Sequence, residues 1–210
     1  MGTLAILGAG GHGRVVADCA EAAGWTEISL FDDRPSPETR EAWPIGGAGA
    51  DLIARLSTFQ GVVVGIGDNA ARVEWQRRLA ASGGHLVSLV HPRATVSSYA
   101  TLGVGSVVFA GAVVNIGARL GQAVIVNTGA TVDHDCDLAD GVHVSPGAHL
   151  AGGVRIGGMS WVGIGAVIRE GITIGQRVRI GAGAVVVESV GDDLTVVGNP
   201  ARPLEKRTHA

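Results

Sequence analysis

An excess of basic charge is missing from this 210-residue chain. Sixteen Lys and Arg stand against nineteen Asp and Glu, a formal net charge of −3, so nothing is available to neutralise the phosphates of a nucleic acid or another polyanion. Cysteine is scarce too. Cys19 and Cys136 are far apart and fit no metal or redox spacing, which points to a reducing compartment. No apolar run is long enough to span a bilayer, and no charged leader precedes the strand-like first residues; a cytoplasmic protein without membrane attachment is expected. Aromatic residues make up only 4% of a chain that is 46% hydrophobic. What is abundant instead is glycine, 34 residues, a level that usually marks low complexity. Here it is mixed with Val, Ile and Ala, so the glycines must serve an ordered, repeating backbone.

The first part of the chain alternates strand-like and helix-like segments. Residues 4–7 read as a buried strand, 14–23 as a helix stopped by Gly24, and 28–31 as a second strand ending in Asp32 and Asp33. A loop with Pro and Gly covers 34–49, a short helix 50–56 and a third strand 62–66. Asn69 is placed to cap a helix reaching Ala81, and 86–90 read as a last strand. This is a small Rossmann-like βαβαβ unit, which implies a parallel sheet with helices on its faces.

At Val90 the pattern changes. Every sixth residue from Val90 through Val96, Leu102 and onward to Val186 is Val, Leu or Ile, seventeen positions without a slip. Four residues after each lies a small or aliphatic residue, a second track from Ala94 to Val190, and Gly often follows the first track, as at Gly103, Gly121 and Gly157. A helix needs apolar spacings of three and four, and an ordinary strand needs alternation. A period of six fits short strands joined by tight corners, with one large and one small residue pointing inward per hexapeptide. No hexapeptide buries anything alone, so coils must stack on coils.

The sixfold pattern resembles the hexapeptide-repeat acyltransferases, whose repeats wind a left-handed parallel β-helix, three hexapeptides per coil; the handedness comes from the resemblance, not from the spacing. With the N-terminal unit in front, the chain is similar to a narrower group: acetyl-CoA-dependent N-acetyltransferases of nucleotide-linked 4-amino sugars, and the sialic acid O-acetyltransferase-like proteins. The stretches that carry this are "GAGGHGRVV", "NTGATVDHDCDLADGVHVSPGAHLAGGV" and "VVGNPARP". The implied organisation is a nucleotide-sugar-binding domain over 1–89, a catalytic β-helix over 90–198 and a tail over 199–210.

Within the middle stretch His134 is flanked by Asp133 and Asp135, and the 18-residue coil stacks it between Ile116 and Gly152 on the outer surface. Acetyl transfer to an amine needs a base that accepts a proton near neutral pH, and imidazole supported by a carboxylate suits that task. The plain alternative is a solvent-exposed polar corner. In the resembling family the matching His is the proton acceptor and the following acid strengthens it, which assigns catalysis to His134 and Asp135. Relatives often carry Glu at the second position, so the spacing leaves open whether Asp135, Asp133 or Asp137 orients the ring. The resemblance further implies that His143, Ile164 and Ala182 touch the co-substrate acetyl-CoA, and that the "GNPARP" segment, residues 198–203, closes over its adenine end. His149 is read as structural. No metal is expected, because no three ligands have a recognisable spacing.

Gly8-x-Gly10-x-x-Gly13, after a strand and at the start of a helix, is a phosphate-binding arrangement, and Asp32 stands where a dinucleotide fold keeps its ribose-binding acid. Against NAD stand the small number of strands, the bulky His12 inside the loop and the lack of hydride chemistry elsewhere. Half a dinucleotide site suits one nucleoside diphosphate. The family reading agrees: Gly10, Gly11, His12, Asp32, Asp33 and Gly67 are the expected nucleotide-sugar contacts. The expected activity is acetylation of the sugar's 4-amino group by a homotrimer with neither nucleic acid nor membrane as partner. O-acetylation of a hydroxyl, or a non-catalytic trimer that binds the nucleotide-sugar, are the alternatives, and the carrier (UDP, GDP or dTDP) is open.

Overall fold

The structure, a computed structural model, describes residues 2–34 and 43–204. The N-terminal unit is a four-stranded parallel sheet: β1 (Thr3–Leu7), β2 (Glu27–Phe31), β3 (Ile45–Gly47) and β4 (Gly61–Val64) lie in the order β3-β2-β1-β4. Its helices are α1 (Gly11–Ala22), α2 (Gly49–Ala54) and α3 (Asn69–Ala81), with a 3₁₀ turn at Leu56–Thr58. α1 buries Val16, Ala17, Cys19 and Ala20 against one sheet face; Leu52, Leu56 and Leu79 cover the other.

Three local expectations are corrected. The loop expected over 34–49 contains the edge strand β3, with residues 35–42 outside the described set. The cap of α3 is Asp68, whose carboxylate accepts from Ala71 N at 2.9 Å, which frees Asn69 for another task. The strand expected over 86–90 splits. Leu86 makes a single bridge to Val62, whereas Leu89–Val90 pairs with Val107–Val108 and starts the second architecture.

That architecture is a parallel β-helix with three walls of two-residue strands. Wall I begins at Leu89–Val90 and includes Ile125–Val126, His143–Val144, Trp161–Val162 and Arg179–Ile180. Wall II begins at Thr95–Val96 and includes Thr131–Val132 and Val185–Val186. Wall III begins at Thr101–Leu102 and includes Asp137–Leu138. Partners lie eighteen residues apart, as in Ile125↔His143 and Thr131↔His149. The large and small sixfold tracks fill the interior, from Val108 and Ala112 to Ala184 and Val186. Ser106 and Ser160 take small-track positions without penalty, because their hydroxyls donate to Gly121 O (2.9 Å) and Gly175 O (2.7 Å).

A third sixfold track sets the corners. From Gly105 to Gly183 every sixth residue has a left-handed backbone; ten are Gly, and Ala123, Asp135, Met159 and Arg177 are the exceptions. Each non-glycine there costs about 1 kcal/mol, so Asp135 holds its place against a local preference. The coil after Val186 is two residues short: Val190 bridges Ile174, and Thr195 pairs with Arg179. Val190 therefore sits at the large-track position rather than the small one expected from the spacing. The tail turns back at Gly198, and Arg202–Pro203 pairs antiparallel with Val196 and Val197; residues 205–210 lie outside the described residues.

The N-terminal unit sits on wall I. Leu89, Val107, Phe109 and Ile125 point outward there and pack with Leu4, Ile6, Val16 and Ala20. Both cysteines are free and buried, and burial pushes the Cys19 thiol up to about 12, so neither is a nucleophile at neutral pH. No helix among the described residues is long and apolar enough to cross a membrane.

Candidate active site

Between Thr131–Val132 of wall II and Asp137–Leu138 of wall III the chain turns through Asp133, His134, Asp135 and Cys136. Cys136 points inward. Asp133 Oδ1 accepts from His134 N and from Asn115 Nδ2 one coil earlier, both at 2.8 Å, so Asp133 holds the backbone of the corner. The left-handed Asp135, φ 57°, turns its carboxylate onto the ring, with His134 Nδ1 and Asp135 Oδ2 2.9 Å apart. Asp137 instead pairs with Arg119 at 3.3 Å. The orienting acid that the spacing left open is thus Asp135, and its short arm suffices. A carboxylate only accepts, so Nδ1 carries the hydrogen and Nε2 remains an acceptor. The hydrogen bond that His134 donates to Asp135 raises the histidine pKa, and the Asp133 charge adds to this.

Two glycines keep this corner open. A Cβ on Gly117, eighteen residues before Asp135, would lie 2.5 Å from Asp135 Oδ1; one on Gly152, eighteen after His134, would lie 2.5 Å from His134 Nε2. The ring thus stands over a bare coil, exposed to solvent. Beside it on wall II, an open shelf of about 410 Å³ is lined by Asn115, Asp133, His149 and Val167 among others.

The glycine loop lies in the other unit. Gly8 needs its left-handed φ of 114°, whereas Gly10 and Gly11, at the start of α1, have open space above them. Asp32 closes this loop: its Oδ2 accepts from Ala9 N (2.7 Å) and its Oδ1 from Arg34 N (2.8 Å). Asp33 Oδ1 accepts from Gly49 N at 3.0 Å. A cleft of about 190 Å³ between Gly8, Asp32, Asp33, Ile66 and Trp75 adjoins them.

His12 and His143 meet where the two units join. Their ring centroids are 6.0 Å apart; His12 sets an edge against Phe109, and His143 lies 4.2 Å from Trp161. Asn127 Nδ2 is 3.2 Å from His143 Nε2 and donates to it. Gly67 borders the His12 ring. Burial, with the nearby Arg72 charge, lowers His12 to about 4 and His143 to about 3, so both rings are neutral at physiological pH. His143 is only 4% exposed, leaving a small part of its surface for a ligand.

The expected site residues therefore form three groups within one chain. Gly10, Gly11, His12, Gly67 and His143 gather around the joint on wall I. His134 and Asp135 stand at the opposite corner, between walls II and III. Ile164 and Ala182 stack on successive coils at the corner between walls I and II, with Gly183 N donating to Ile164 O at 2.8 Å, and both are exposed. Sequence reasoning missed Asn115, Gly117 and Asn127; stepping eighteen residues from Asp133 or Asp135 would have found the first two. It also missed Arg72, for which no sequence signal exists. Among the described residues no group of three His, Cys, Asp or Glu could hold a metal ion.

An acid-supported imidazole on a β-helix, joined to a phosphate-loop unit, defines a class that the similarities make specific. Residues 3–79 match the PglD N-terminal domain and residues 153–187 the bacterial transferase hexapeptide (six repeats) family. The acetyltransferase domain of PglB from Neisseria gonorrhoeae FA1090 is 48% identical, covers 96% of this chain and 99% of that chain, and superposes with a TM-score of 0.92. PerB from Caulobacter crescentus, solved in complex with CoA and GDP-perosamine, is 36% identical over 98% of each chain, TM-score 0.90. UDP-N-acetylbacillosamine N-acetyltransferase of Bacillus subtilis (strain 168) is 36% identical over 113 residues, 52% of each protein, so the match spans about half the length of that relative. The chain belongs to the hexapeptide-repeat acetyltransferases that carry a PglD N-terminal domain, with an α/β unit followed by a left-handed parallel β-helix.

Proposed function

We propose that the protein transfers acetyl from acetyl-CoA to the 4-amino group of a nucleotide-linked deoxyamino sugar. The observation that carries this is the His134–Asp135 pair, with Nε2 free above Gly152. The sugar's neutral amine attacks the thioester carbonyl while Nε2 of His134 takes its proton, and Asp135 stabilises the imidazolium that forms. The tetrahedral intermediate collapses, the C–S bond breaks, and the thiolate of CoA leaves and takes the proton from the His134 imidazolium, which returns the base to its neutral form. A positioned base of this kind contributes roughly 10²- to 10⁴-fold in rate. His143 is the candidate contact for the thioester carbonyl or the pantetheine arm. Ile164 and Ala182 mark the path of the cofactor.

The nucleotide-sugar is assigned to the loops at Gly10, Gly11, His12, Asp32, Asp33 and Gly67. Because these lie on wall I and His134 lies at the opposite corner, one chain cannot bring its own two halves together. A neighbouring subunit must supply the base, and closed threefold symmetry would complete three equivalent sites. A cytoplasmic enzyme fits the use of acetyl-CoA. The known proteins with CoA, acetyl-CoA or GDP-perosamine bound support this reading.

The test is thiol release from acetyl-CoA with 4-amino sugars carried on UDP, GDP and dTDP, each beside its 4-hydroxy counterpart, with light scattering at micromolar concentration. Turnover with an amino sugar by a trimer is expected. Turnover with the hydroxy sugars alone, or full activity from a stable monomer, would overturn the assignment.

A further inference from the structure

α3 lies across the corner where wall III passes into wall I, and its polar side chains meet one coil after another. Gln76 Nε2 donates to Val104 O (2.9 Å), Arg72 Nε to Ala123 O and Nη2 to Gly141 O (both 2.8 Å), and Asn69 Nδ2 to Met159 O (2.9 Å). The spacings of three and four put these residues on one helix face. The coil ladder takes the amides of Ala123 and Gly141, to Val104 O (3.1 Å) and Gln122 O (2.8 Å); Arg72 takes their carbonyls.

Arg72 also reaches the other way. Its Nη1 donates to Ile66 O (3.2 Å) and Gly67 O (3.0 Å), and Nη2 to Asn69 Oδ1 (2.9 Å). All five guanidinium N–H groups are used, and every acceptor is neutral. Asp68 acts on it from a distance while capping α3. The side chain is 1% exposed. A cation buried without a bonded acid is costly, and neutral donors could have tied two backbones together. What its charge faces is the Gly67 loop with His12 and His143 beside it.

We propose that Arg72 is a positioning residue for the transfer: it holds the 66–67 loop at a set place over the β-helix and directs a positive charge that no bonded acid neutralises toward the anionic group bound there. This rests on the reading that the nucleotide-sugar lies on that loop.

The full-length Arg72→Gln and Arg72→Lys proteins test it, by steady-state kinetics and by NMR titration of the His12 and His143 rings. In Arg72→Gln the KM for the nucleotide-sugar rises about tenfold or more while that for acetyl-CoA stays within about twofold, since the charge and the placement of the 66–67 loop are lost at one ligand only. Both rings then titrate at higher pH, because a nearby cation no longer opposes their protonation. Arg72→Lys keeps the charge but not the fork, so its rings stay near wild type while the nucleotide-sugar KM rises less. If Arg72→Gln does not fold, the nucleotide-sugar KM of Arg72→Lys decides. A joint that is merely structural would lower Tm and shift the rings yet leave the ratio of the two KM values unmoved, and that unmoved ratio overturns the proposal. A wild-type enzyme inert towards every nucleotide-sugar would instead sink the functional reading, and the ring titrations would still report on the charge of Arg72.

Discussion

Lowering the pH from 7 to about 5 should weaken the fold through two side chains, and the size of the effect can be worked out. His12 and His143 are held neutral in the folded chain, with pKa values of about 4 and about 3, whereas an unfolded histidine titrates near about 6.5. The folded values are depressed, so the unfolded state takes up protons first, and stability present above about 6.5 is lost as the pH falls. At about pH 5 each ring is still neutral when folded and almost fully protonated when unfolded, a difference of about 2 kcal/mol per histidine, or about 4 kcal/mol for both. The window is chosen to avoid the carboxylates. Asp133 and Asp193 are depressed by their hydrogen bonds and lose their stabilising contribution only at more acid pH. Urea unfolding at several pH values and fixed protein concentration measures the slope. His143→Phe should remove about half of the change between pH 7 and 5; its absolute stability also shifts, because Asn127 loses a partner, but the slope is the readout. His134, raised by its bond to Asp135, acts in the opposite sense over the same window, so the difference between wild type and His143→Phe is decisive, and an unaltered slope in His143→Phe would refute the neutral-ring account.

Further outcomes follow from the corner and the loops. Gly152→Ala places a methyl group where the His134 ring now stands, at a backbone without a left-handed φ, so the protein should fold normally while kcat falls about tenfold as the base is displaced; a variant at wild-type kcat argues against this placement of the ring. Asp135→Asn removes the main cause of the raised His134 pKa, so the acid limb of the kcat/KM profile should move to lower pH with a lower plateau, and a limb that stays in place would identify another titrating group. Asp32→Ala with Asp33→Ala releases the glycine loop from Asp32 and the start of α2 from Asp33; calorimetry should find nucleotide-sugar binding weakened and acetyl-CoA binding retained, and equal losses would contradict the division of the two ligands between units.

Much of this was legible in the chain because the β-helix repeats its constraints. Inward positions recur every six residues, so the core could be read from Val96 to Val186, although Val90, at the open end of the first coil, is exposed; the eighteen-residue coil correctly set Gly152 beside His134. Asp135 and His134 are neighbours, so their pairing needed no long-range knowledge. The corner track was harder: Asp135, Met159 and Arg177 occupy left-handed positions where glycine is usual, and packing overrides the local preference. The shortened last coil escaped notice because Val190 suits either track. The cap of α3 was misassigned by one residue because Asp68 and Asn69 are both good caps; only the joint, where Asn69 bonds Met159, separates them. Arg72 was invisible. In sequence it is an ordinary helical arginine, and its burial depends on how α3 lies across coils fifty to seventy residues further on. The same holds for His143, which becomes buried because the N-terminal unit covers wall I.

The most direct test of the central claim is the turnover of His134→Ala. If Nε2 of His134 accepts the amine proton only in the transition state, kcat should fall by roughly 10²-fold or more with both KM values nearly unchanged. A variant that keeps more than about a third of wild-type kcat would show that the amine loses its proton elsewhere and that the His134–Asp135 pair only positions the substrate.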